Sequence, residues 1–159
     1  MLEVGDPAPQ FDLESDTGER VTLESFRGRP VVIYFYPKDD TPGCTRQACG
    51  IRDSWEEFCR IGADVIGVSP QDAASHREFK EKYGLPFPLL ADTDHSMADD
   101  YGVWVEKTNY GRTYMGIERS TFVVDADGKL AAIKRRVNPD EHTAWALAEV
   151  EKLTAGATS

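Results

Sequence analysis

No run of apolar residues in this chain approaches the ~20 needed for a helix to cross a bilayer, so the sequence offers no membrane span. A basic excess is missing as well. Twenty-eight acids against 18 bases leave a net charge of −10, which repels nucleic acid phosphates and anionic membrane surfaces. Cysteine is scarce and odd in number: Cys44, Cys49 and Cys59 stand within one short stretch, which does not fit a disulfide scaffold. Zinc-ligand spacing is absent, with Cys44 and Cys49 five apart and His76, His95 and His142 scattered singly, so no metal or other cofactor is expected. The first residues, Met1-Leu2-Glu3-Val4-Gly5-Asp6, lack the basic and apolar regions of a signal peptide, and the cytoplasm is the expected compartment. With no low-complexity tract, repeat or linker, residues 1–159 read as one domain, long enough to bury roughly two-thirds of the unfolded surface.

What is present alternates between strand and helix signals. Phe11-Asp12-Leu13 and Val21-Thr22-Leu23 alternate in polarity around Ser15-Asp16-Thr17-Gly18, which predicts a hairpin. Pro30 introduces Val31-Val32-Ile33-Tyr34-Phe35-Tyr36, a continuous apolar run of the kind buried on both faces of a sheet. Ala48, Ile51, Trp55, Phe58 and Ile61 recur at helical spacing and predict a helix over 42–61, closed by Gly62. Further strands are expected over 63–69, 87–91, 120–125 and 129–136, the last two joined by a turn at Ala126-Asp127-Gly128. Helices are expected over 72–83 and 95–101, and from Pro139 to about 153. This order predicts an α/β fold with a central mixed β-sheet flanked by helices and an N-terminal β-hairpin. Lys134-Arg135-Arg136 fits a solvated sheet edge.

The segment Pro37-Lys38-Asp39-Asp40-Thr41-Pro42-Gly43-Cys44 carries the chemistry. Thr41 fits an N-cap, Pro42 the first helical position and Cys44 the third. Unpaired N–H groups and the helix dipole would there favour a thiolate over a thiol. The polar turn before the helix predicts an accessible sulfur. Cys59, beside Trp55 and Phe58, reads as a buried structural thiol.

The pattern of Pro37, Thr41 and Cys44 resembles the active-site signature of the peroxiredoxins, and Cys49 five residues on resembles the bacterioferritin comigratory protein branch, also called peroxiredoxin Q. The likeness extends through Gly50-Ile51-Arg52-Asp53, Tyr110-Gly111, Tyr114-Met115-Gly116 and Ile117-Glu118-Arg119-Ser120-Thr121-Phe122. It implies a thioredoxin-like fold and reduction of hydrogen peroxide and organic hydroperoxides by thiol chemistry alone. Cys44 would be the peroxidatic nucleophile and Cys49 the resolving cysteine. Thr41 would bond thiolate and peroxide, Pro37 would shield the pocket, and Arg119 would donate to sulfur and peroxide oxygens. Many relatives carry Glu where this chain has Gln47, so an amide would replace the carboxylate that steadies Arg119; the plain alternative is an exposed helical Gln47.

Given that pairing, helix geometry adds a constraint. Residues five apart in an α-helix have Cα atoms ~8–9 Å apart, whereas a disulfide tolerates ~7 Å, so the helix must open before Cys44 and Cys49 can join. Intramolecular resolution favours a monomer, with a weak dimer open, and the resemblance implies thioredoxin or a glutaredoxin-type donor as reductant. Two other readings stand beside this one. A disulfide oxidoreductase is weakened by the lack of Cys-x-x-Cys, and a redox sensor or chaperone would react slowly or without turnover.

Overall fold

The computed structural model describes residues 2–157. Strands β1 (Asp12–Glu14) and β2 (Arg20–Thr22) form the N-terminal hairpin. There follow β3 (Val31–Phe35), α1 (Pro42–Asp53), α2 (Trp55–Ile61), β4 (Asp64–Ser69), α3 (Ala73–Tyr83), β5 (Leu89–Ala91) and α4 (Ser96–Asp100). The chain continues through β6 (Trp104–Asn109), β7 (Arg112–Ile117), β8 (Ser120–Val124), β9 (Leu130–Arg135) and α5 (His142–Ala157).

The central sheet has the order β5–β4–β3–β8–β9. β3 runs parallel to β4 and antiparallel to β8, so the sheet is mixed, as the hairpin signal near residue 127 predicts. Every residue of β3 is buried, because each face of the strand meets a different core. Val31, Ile33 and Phe35 join Ile66, Phe122 and Tyr101 on one side; Val32, Tyr34 and Tyr36 join Ala48, Phe58, Phe79 and Val150 on the other. The continuous apolar run is thus two period-two faces superimposed.

Three expectations need correction. The helix over 42–61 is two helices, broken at Ser54, whose φ of −106° and ψ of 13° leave the helical region. The last helix begins at His142, not at Pro139. The hairpin β6–β7 was not expected at all, because its strands bury few residues and so lack a clear alternation. Its turn, Tyr110-Gly111, has φ of 53° and 77°, the left-handed pair of a two-residue hairpin loop. Of the basic run, Lys134 and Arg135 lie on the edge strand β9 and Arg136 just beyond it, but Lys134 sits over the Trp145 ring and Arg135 over Phe122, so their stems cover aromatic surface.

Gly67 shows how tightly the site-bearing face is packed. A Cβ there would lie 2.9 Å from Leu89 Cδ2 and from Cζ and Oη of Tyr34. Gly67→Ala is therefore expected to lose about 1–3 kcal/mol by overpacking, measured as a lower urea midpoint; an unchanged midpoint would show that Tyr34 moves aside freely.

Candidate active site

The turn after β3 delivers Cys44 to the first turn of α1. Thr41 is the N-cap, with extended backbone, and Pro42 occupies N1, where its missing N–H costs nothing. Cys44 is only 1% exposed. The polar turn therefore does not make the sulfur accessible, because its carboxylates fold away onto α3 while other segments cover the thiol. Pro139, in the approach to α5, lies against Gly43, as does Arg119: a Cβ on Gly43 would meet Arg119 Nη2 at 3.3 Å and Pro139 Cγ at 3.5 Å.

Sheet register explains how Arg119 reaches a cysteine 75 positions earlier. Ser120 pairs with Phe35, so the residue before β8 arrives at the end of β3 from which the cysteine loop departs. Arg119 Nη2 donates to Cys44 Sγ at 3.3 Å, and Nη1 donates to Gln47 Oε1. Gln47 is fully buried, which overturns the exposed reading and puts its amide where a steadying group is needed. Its Nε2 has no hydrogen-bond partner among the described residues.

Other polar groups gather behind this pair. The Tyr34 phenol is pushed well above its usual range, first by burial and next by the Cys44 charge. Lys107 on β6 is half-buried, and its ammonium is pushed below the usual lysine range by burial and then by Arg119. His142 is buried, 2.8 Å from Thr121 Oγ1 through Nε2, and is held neutral: burial, then the charges of Arg119 and Lys134, lower it to about 3. Nothing in the spacing of the sequence marks these three residues, since only the fold brings them to the Cys44–Arg119 pair.

The loop itself is tied down. Tyr36 Oη donates to Asp39 Oδ1 at 2.6 Å, and Ser75 Oγ donates to Asp39 Oδ2 at 2.7 Å. Asp40, at φ 57°, accepts from Lys82 Nζ at 2.7 Å and Tyr83 Oη at 2.6 Å; the bond from Lys82, then that from Tyr83, hold its carboxyl below the usual range.

The remaining expected residues are placed as follows. Cys49 lies in α1 with Cys44, partly buried, and all three cysteines are free. Pro37 is partly buried at the start of the loop. Thr41 Oγ1 donates to the Lys38 carbonyl at 2.9 Å and makes no side-chain capping bond. Cys59 is exposed, not buried: adjacent helical positions point about 100° apart, so seating Phe58 in the core turns Cys59 outward. Among the described residues no cluster of His, Cys, Asp or Glu could hold a metal, and no helix is long and apolar enough to cross a membrane.

A cysteine at a helix N-terminus, beneath an arginine and with a second cysteine in the same helix, set on a sheet of this order, defines a thioredoxin-fold thiol peroxidase. The AhpC/TSA family profile matches residues 4–133, and the chain belongs to that family of peroxiredoxins. It is 47% identical over 153 residues to peroxiredoxin Bcp of Bacillus subtilis (strain 168), covering 96% of this chain and 98% of that one. To peroxiredoxin Bcp of Escherichia coli (strain K12) it is 49% identical over 129 residues, 81% of this chain and 83% of the relative. The bacterioferritin comigratory protein of Xanthomonas campestris, a protein with alkyl peroxide reduction activity, superposes with a TM-score of 0.87 at 36% identity, over 91% of this chain and 92% of that one.

The neutral His142 has a consequence for stability. Its folded value of about 3 lies below the unfolded value of ~6.5. The unfolded chain thus takes up a proton that the folded one refuses, and stability present above pH ~6.5 is lost as pH falls toward 3. The expected loss is about 1.4 kcal/mol per pH unit in that window, read from urea unfolding at several pH values. His142→Gln should flatten that slope by about one proton; equal slopes in both proteins would contradict a buried neutral imidazole.

Proposed function

We propose that Cys44 is the peroxidatic nucleophile of this thiol peroxidase and Cys49 its resolving cysteine, with hydrogen peroxide and organic hydroperoxides as substrates. The observation that carries the assignment is the Arg119 contact with the Cys44 sulfur at the helix N-terminus. In the first step the Cys44 thiolate attacks one peroxide oxygen. The S–O bond forms, the O–O bond breaks, and the departing alkoxide or hydroxide takes a proton. Negative charge moves from sulfur to oxygen, so donors already aimed at the sulfur stabilise the change without rearranging. A guanidinium suits this role because its planar fork serves two acceptors at once, here the sulfur and Gln47. The Thr41 hydroxyl, its proton engaged with the Lys38 carbonyl, keeps lone pairs for a peroxide O–H. Pro37 limits water at the entrance.

In the second step the Cys49 thiolate attacks the Cys44 sulfenic acid. The S–S bond forms, the S–O bond breaks, and the departing hydroxide takes up the proton released when the Cys49 thiol ionised and leaves as water. Both cysteines lie inside α1, at a helical separation of ~8–9 Å, beyond disulfide reach. Local unwinding of α1 must precede resolution, and the break at Ser54 bounds the segment that opens. A thioredoxin-like dithiol, or a glutaredoxin-type donor, then reduces the disulfide and is itself oxidised. Resolution within one chain fits a monomer, and the composition fits a cytoplasmic protein.

Stopped-flow fluorescence of reduced protein mixed with hydrogen peroxide tests this reading, with Trp55 beside the helix break as reporter. A fast phase absent in Cys44→Ser, and a later phase absent in Cys49→Ser, are expected. A signal that persists in Cys44→Ser would overturn the assignment. Amide exchange of residues 43–52 should be faster in the oxidised than in the reduced protein; equal protection would remove the unwinding step. Freeing Nη1 of Arg119 by Gln47→Ala is expected to slow the peroxide step roughly tenfold, the worth of a hydrogen bond to a charged group, while Gln47→Glu keeps the rate. An unchanged rate in Gln47→Ala would mean that Arg119 needs no such support.

A further inference from the structure

His76 is fully buried on α3, and both of its ring nitrogens face oxygens. Nδ1 lies 2.7 Å from Asp39 Oδ2 and Nε2 lies 2.9 Å from the Leu90 carbonyl of β5. Asp39 also accepts from Tyr36 Oη and Ser75 Oγ, so this one carboxyl is held from the end of β3 and from α3 together. Tyr36 Oη also lies 3.3 Å from Nδ1, but its hydrogen is directed at Asp39.

We infer that, through Asp39, His76 is a positioning residue for Cys44. A buried polar network whose groups are all satisfied rigidifies and specifies one arrangement. Here the arrangement is that of the β3–α1 loop, since Asp39 stands five residues before Cys44. The same helix holds the next residue, Asp40, through Lys82 and Tyr83, and the Tyr83 carbonyl accepts from Arg52 near the end of α1. Both ends of the reactive helix are thus referred to α3. The loop pins decide where the first turn of α1 stands against Arg119, and a small misplacement of a reacting atom is costly to rate.

The inference rests on Cys44 being the reacting thiol, and the two failures are separable. Asn at position 76 can place its amide where Nδ1 stands and donate to Asp39; Gln reaches toward Leu90 and leaves Asp39 without that donor. His76→Asn should react with hydrogen peroxide within about threefold of wild type, and His76→Gln about tenfold or more slower, whatever each does to thermal stability. Equal rates in the two variants would overturn the positioning role, because loss of packing alone does not distinguish them. A wild type that does not react would instead count against the Cys44 reading.

Discussion

The Arg119 guanidinium, 3.3 Å from the Cys44 sulfur, is the contact on which the rest of the site depends. A sulfur with 1% exposure would ordinarily behave as a small hydrophobe, since burying an unpaired ion costs several kcal/mol. A fixed cation and the N–H groups of a helix N-terminus take the place of the lost water. Other features then follow as requirements. Gly43 leaves room for the guanidinium, Gln47 is buried to hold its second nitrogen, and the register of β8 against β3 brings it to the loop. His142 is neutral partly because Arg119 already supplies the positive charge nearby.

A second constraint pulls the other way. The helix that presents Cys44 also holds Cys49, about 8–9 Å away by helix geometry and beyond disulfide reach, so under the proposed roles the arrangement suited to attack on peroxide is unsuited to resolution. Dividing the predicted long helix at Ser54 eases this conflict, because a 12-residue helix can open without dismantling the apolar seat of Phe58 in α2. Gly50 plays a part here beyond low helix propensity. Its missing side chain lets α1 approach Thr143 of α5, where a Cβ would come within 2.7 Å of Oγ1. Close packing and ease of unwinding therefore meet at one residue.

Much of this was legible in the chain. The apolar run 31–36, the turn at residues 37–41 and Pro42 before Cys44 place a cysteine at a helix N-terminus by local rules alone, and the strand and helix order yields the mixed sheet. Charge and the lack of a long apolar run removed nucleic acid and membrane-span readings without any fold. The catalytic roles of Arg119, Cys49 and Thr41 were nameable only because neighbouring residues resemble a known family.

Tertiary structure decided what local rules cannot reach. Burial of Cys44 and Gln47 depends on segments, Arg119 and Pro139, that are remote in sequence. The polar turn by itself predicts an open site, but Asp39 and Asp40 are satisfied by α3 side chains some 40 positions away. Cys59 faces outward because helix phase follows the residue that finds a core, here Phe58, and β6–β7 pairs through backbone bonds and a left-handed turn with little apolar pattern to announce it. Periodicity and capping act over a few neighbouring residues and can be read in order; exposure, charge pairing and the meeting of Arg119 with Cys44 are set by which strands lie side by side, a property of the whole sheet.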